Sequence, residues 1–114
     1  MAEAEIGDVR IAPGVLELIV GLAATEVEGV AWLSGGAIGG ISDWLKRGPA
    51  KGVKIEFADS AIDVELHLVI EYGRRLPEVA RKVQNNVKRA VESMTNCTVN
   101  AVDVYVDGLS DRGT

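Results

Sequence analysis

Residues 64–95, VELHLVIEYGRRLPEVARKVQNNVKRAVESMT, decide the fold, because within them one hydrophobic period gives way to another. From Ile62, the residues Val64, Leu66, Leu68, Ile70 and Tyr72 point one way, and Asp63, Glu65, His67, Val69 and Glu71 point the other. Period two marks a strand with one buried face. Gly73 breaks it. Leu76, Val79, Ala80, Val83, Val87, Ala90, Val91 and Met94 then recur at the three- and four-residue steps of a helical stripe. Pro77 suits the first turn, where its missing N–H would have no partner in any case. Away from the stripe stand Arg81, Lys82, Lys88 and Arg89, preceded by Arg74 and Arg75, so half of the chain's 12 basic residues lie between positions 74 and 89.

The rest of the chain builds around this unit. Ile6 to Ile11 offers a short strand. Pro13 opens a helix to about Val27, with Glu17 in its first turn and Gly29 as terminator. That helix is apolar almost all round, so the sheet must cover it together with either the second helix or another subunit. Val30 to Leu33 is a short strand leading into the glycine-rich stretch Ser34 to Gly40. Ile41 to Lys46 suits a brief helical turn with Ile41, Trp44 and Leu45 inward. Val53, Ile55 and Phe57 alternate with Lys54 and Glu56 in a strand that turns through Ala58-Asp59-Ser60-Ala61 and pairs antiparallel with the long strand. Asn96 is a left-handed cap, and Val99, Val102, Val104 and Val106 mark a last strand. Its phase slip implies a bulge or a start near Ala101. The expected class is α+β, with two helices packed on one face of a small mixed three- to four-stranded sheet, in the order β-α-(β)-β-β-α-β. His67, Glu65 and Glu71 fall on the open face.

At 114 residues and 12.1 kDa the chain makes one domain, able to hide roughly two-thirds of its unfolded surface. One cysteine rules out an internal disulfide framework and favours a reducing compartment. The start MAEAEIGDVR carries acids where an export signal carries positive charge. The most apolar stretch, Pro13 to Ala24, is shorter than the ~20 residues that span a bilayer. The expected location is therefore cytoplasmic, without direct membrane insertion. The net charge of −5 argues against general nucleic-acid binding. Its distribution is uneven. Residues 1–73 hold five basic and twelve acidic side chains, and residues 74–114 hold seven basic and five acidic. Such polarity suits self-association or an acidic partner.

Catalytic chemistry finds little material. The one histidine, His67, has no serine or cysteine near it in sequence, and a solvated strand histidine is the plainer reading. One histidine, one cysteine and scattered carboxylates make no spaced ligand set; the nearest to one is Asp63, Glu65, His67 and Glu71 on a shared face. No catalytic residue, metal or cofactor is assigned. Cys97, after a helix C-terminus where the dipole raises a thiol pKa, is structural. The loop from Gly35 to Gly40 lacks the Gly-Lys-Ser/Thr ending of a nucleotide-binding loop. Its Gly36-Ala37-Ile38-Gly39 matches the bare GxxG of a KH domain, but its middle residues are apolar and its surroundings acidic. A flexible connector is the first reading, with a ligand loop and a KH-like nucleic-acid module using the basic helix 74–89 as alternatives. Trp32 and Trp44 bracket the loop and mark a contact surface if exposed, with burial the expectation.

Several strings together resemble the alkaline shock protein family of bacteria. They are Ile11-Ala12-Pro13, Ala24-Thr25-Glu26-Val27-Glu28-Gly29-Val30, the double-glycine loop, Lys51-Gly52-Val53-Lys54-Ile55, Glu71-Tyr72-Gly73 with Leu76-Pro77-Glu78-Val79, Val83-Gln84-Asn85-Asn86-Val87, Met94-Thr95 and Val102-Asp103-Val104-Tyr105-Val106-Asp107-Gly108. Asn96-Cys97 departs from the Gly-Leu pair usual after Met-Thr. The resemblance implies one alkaline-shock-like domain over residues 1–114, with a flexible glycine-rich loop at about 34–52 and a frayed tail at 110–114. It also implies a non-enzymatic cytoplasmic protein of Gram-positive type, concerned with cell-envelope homeostasis or stress and in some cases held at the membrane by a separate anchoring protein. Together these readings give an interaction protein that self-associates and docks on a partner. Its candidate partner-binding residues are Arg74, Arg75, Arg81, Lys82, Lys88 and Arg89, and its candidate contact residues are Trp32, Gly36, Gly39 and Trp44.

Overall fold

In a computed structural model the described residues are 7–34 and 52–111. They form helix α1 (Pro13–Thr25), strands β1 (Val30–Leu33), β2 (Val53–Ala58) and β3 (Ala61–Glu71), helix α2 (Leu76–Met94) and strand β4 (Thr98–Ser110). The α+β class and the mixed sheet are as the sequence indicates. β3 is its axis. Along one edge β4 pairs with it in parallel, from Ala61↔Thr98 to Glu71↔Ser110. Along the other, β2 takes the first half antiparallel (Val53↔Leu66 to Ala58↔Ala61) and β1 the second (Val30↔Ile70 to Leu33↔Leu68).

β1 and β2 therefore lie end to end as a single edge interrupted by the chain between them. The break falls at His67. Its carbonyl accepts from the Ser34 N–H at 2.8 Å, and its own N–H donates to the Gly52 carbonyl at 2.9 Å. Glycine is needed at 52 because a Cβ there would lie 2.9 Å from both the His67 and the Ser34 carbonyl oxygens.

Burial alternates without exception along β3, with Ile62, Val64, Leu66, Leu68 and Ile70 inside. They meet Leu16, Ile19, Val20, Ala23 and Ala24 of α1 and Val79, Val83, Val87 and Val91 of α2 in one cluster. The four valines at steps of four form the inner stripe of α2, each contributing roughly 1.5–3 kcal/mol by burial. Gly73, at φ +98°, supplies the left-handed turn that frees the chain from the strand.

Local expectations are corrected at several points. Residues 7–12 form no strand, and Val9 is 90% exposed; Ile6 lies outside the described residues. Helix α1 ends at Thr25, so Glu17 falls just past its first turn. Tyr72 lies beyond the end of β3 and is 59% exposed. Met94, the last residue of α2, is 65% exposed. Asn96 is not left-handed. The helix stops instead at an extended Thr95, whose hydroxyl donates to the Val91 carbonyl at 2.8 Å and accepts the Cys97 N–H at 3.0 Å. β4 begins at Thr98 with a bulge at Asn100 and runs to Ser110, whose carbonyl accepts the Tyr72 N–H; residues 112–114 of the expected frayed tail lie outside the described residues. Cys97 is free, half-buried and packed against the core.

Candidate functional site

α2 presents its valine stripe inward, so its charged residues face α1, solvent or β4 according to their place on the helix. This divides the basic run. Arg74 turns back to Glu71 (3.1 Å) and Glu28 (3.5 Å), and the Glu71 carboxylate chiefly raises its pKa. Lys88 bonds Glu92 at 2.8 Å and reaches the Val99 carbonyl at 3.4 Å. Both are occupied within the protomer. Arg75 stands 4.0 Å from Glu78, and Arg89 donates to the Asn86 side-chain oxygen at 2.6 Å. Arg81 and Lys82 meet no carboxylate among the described residues. Lys82 and Arg89 border a groove of about 420 Å³ that also includes Glu26, Glu28, Asn85 and Asn86. Arg75, Arg81, Lys82 and Arg89 are exposed, and none of them is held by a carboxylate closer than the 4.0 Å from Arg75 to Glu78.

Sequence reasoning passed over Glu92 and Asn86. Glu92 accepts from Lys88 and from the Val99 N–H, both at 2.8 Å, and these bonds, the lysine's first, hold its carboxyl below the ordinary range. It ties the end of α2 to the start of β4. Asn86 donates to the Ala23 carbonyl at 2.7 Å and joins α2 to α1. Neither role could be read from sequence spacing, because the partners lie on different elements.

The opposite side of the sheet is uncovered by any described element. Cross-strand register places Lys54, Glu65 and Asp103 in one row, Glu56, Asp63 and Ala101 in the next, and His67 beside Tyr105. Lys54, Glu56, Asp63, Glu65 and Asp103 line a depression of about 340 Å³. The His67 ring stacks on Tyr105 at 4.7 Å, with Nε2 2.8 Å from Glu65 and Nδ1 3.1 Å from Asp107. The Glu65 bond, then Asp107, raises the imidazole pKa. Among the described residues no group of three or more ligands is placed to hold a metal ion. Trp32, opposite Val69 on this same side, is 44% exposed, contrary to the expected burial, because β1 is an edge strand with no layer over it. Gly36, Gly39 and Trp44 lie outside the described residues.

The pattern of a family with a cell envelope-related function, the alkaline shock protein 23 family, matches residues 1–110. The chain belongs to this family. Among its relatives, the uncharacterized protein YqhY of Bacillus subtilis (strain 168) is 36% identical over 108 residues, covering 94% of this chain and 80% of that protein. A stress response regulator gls24 homolog of Streptococcus pyogenes serotype M3 (strain ATCC BAA-595 / MGAS315) is 32% identical over 100 residues, covering 86% of this chain and 56% of the homolog. A solved MamM-CTD structure superposes at TM-score 0.55 over 87% of this chain and 100% of that one, at 11% identity. A nickel form of MamM CTD superposes at TM-score 0.53 over 84% of this chain and 98% of that one, again at 11% identity. These structural likenesses are of fold. No helix of the described residues is long and apolar enough to cross a membrane.

Proposed function

We propose that this member of a cell envelope-related family acts without catalysis, as an interaction protein that self-associates and docks on an acidic partner through the outer face of α2. The supporting observation is that Arg75, Arg81, Lys82 and Arg89 stand exposed on one helix of an acidic chain, with Arg81 and Lys82 meeting no carboxylate among the described residues. Charges left unneutralised at a surface steer association more than they stabilise a fold. In the cell the protein works in the cytoplasm and reaches the membrane through a membrane-anchored protein partner. A relative named as a stress response regulator gls24 homolog supports a stress role for this chain. An assembly and docking part, with no substrate to turn over, is consistent with both.

Light scattering tests this reading. The expected result is a mass above the 12.1 kDa protomer in dilute salt that falls toward it as salt rises. A strict monomer at tens of micromolar protein in dilute salt would overturn it. No acidic surface is needed for the alternative KH-like reading, which predicts a mobility shift with RNA or single-stranded DNA; the net charge of −5 disfavours it.

A further inference from the structure

Resting on that reading, we infer that the uncovered face of the sheet is the seat for the outer face of α2 from a second copy of this chain, so that copies associate head to tail. The sheet face is acidic in a way its own strands do not balance. Glu56 lies directly opposite Asp63, and Glu65 directly opposite Asp103. Like charges facing each other across strands are destabilising. Within the protomer the relief is small: Asn100 donates to Asp63 at 2.9 Å, Lys54 stands beside Glu65, and His67 lies between Glu65 and Asp107. The depression bounded by Glu56, Asp63, Glu65 and Asp103 therefore presents carboxylates to whatever enters.

Beside the acidic rows the same face is apolar and aromatic. Trp32 and Tyr105 are 44% and 48% exposed there. An arginine can stack on such rings as well as meet the carboxylates. The required complement exists on this molecule, as Arg81 and Lys82 are exposed on α2 and form no ion pair among the described residues.

Geometry selects the symmetry. Both helices pack on the inner face of β3, so the outer face of α2 and the open face of the sheet lie on opposite sides of a two-layer protomer. Joining them is a heterologous contact. It leaves one free face at each end and continues as an open stack or closes only as a ring.

Two variants test this, each charge-reversed on exposed residues: a helix variant, Arg81→Glu with Lys82→Glu, and a sheet variant, Glu56→Lys with Asp103→Lys. Thermal unfolding of each first establishes that it folds as the wild type does. In light scattering at dilute salt the wild type gains mass with concentration, and each variant alone loses association by at least about tenfold. An equimolar mixture regains association, because the unaltered sheet of the helix variant meets the unaltered helix of the sheet variant and the two reversed faces are again of opposite charge. A folded sheet variant that associates as the wild type does would overturn the seat while leaving self-association standing. A mixture that stays monomeric, although the wild type associates, would overturn the head-to-tail arrangement. A monomeric wild type would overturn both this inference and the reading beneath it.

Discussion

His67 joins the parts of the sheet in two ways, and each gives a prediction. Its backbone bonds Ser34 and Gly52 across the gap in the edge strand, with no room for a Cβ at position 52. Gly52→Ala should therefore destabilise the protein by about 1–3 kcal/mol in urea unfolding, since both obstructing atoms are backbone oxygens. A neutral effect would mean that the two half-strands do not approach so closely. Its side chain, held between Glu65 and Asp107, has its pKa raised, by the Glu65 bond first and then by Asp107. A raised folded-state pKa gives stabilisation that is full below the unfolded value and disappears as pH rises through the folded one. The thermal midpoint of the wild type should accordingly exceed that of His67→Gln most below the ordinary histidine range, with the gap closing as pH rises through the raised folded-state pKa. A gap that widens as pH rises would contradict the ion pairs. From sequence His67 was legible only as a histidine on an open face. Its partner Asp107 is 40 residues away, brought alongside by a parallel strand.

At the scale of elements, legibility follows the strength of the period. The five inward residues of β3 and the valine stripe of α2 were plain, since alternation and four-residue steps admit few other readings. Ends were less so. Tyr72 and Met94 continue their periods in sequence, but the strand and the core stop before them, so pattern alone could not show that they are exposed. Nor could pattern show that β1 and β2 share an edge of β3, which is a fact of pairing between distant segments. Of the six basic residues singled out, Arg74 and Lys88 proved to be occupied by Glu71, Glu28 and Glu92, partners that helix spacing predicts only in part. Leu66, fully buried at the centre of β3, should lose about 2–5 kcal/mol as Leu66→Ala. By contrast, Met94→Ser should change stability by no more than about 0.5 kcal/mol, despite sitting on the same sequence stripe as Val91. Equal losses in urea titrations would return Met94 to the core.

For the whole molecule, charge asymmetry was visible in the sequence as an acidic first part and a basic later one. The fold gives that asymmetry direction, since cations stand on the outer side of the helical layer while Glu56, Asp63, Glu65, Asp103 and Asp107 stand on the bare side of the sheet. A two-layer protein whose sides carry opposite charge and exposed rings is suited to meeting other molecules, and this is the sense in which membership of a cell envelope-related family fits an assembling part. The most direct measurement is sedimentation velocity of the wild-type chain over a concentration series, at about 0.1 M and about 1 M salt, where the screening length falls from about 10 Å to about 3 Å. Association through the charged faces predicts a sedimentation coefficient that climbs with concentration in the lower salt and returns to that of the 12.1 kDa protomer in the higher. A single protomer boundary at every concentration in both salts would contradict it.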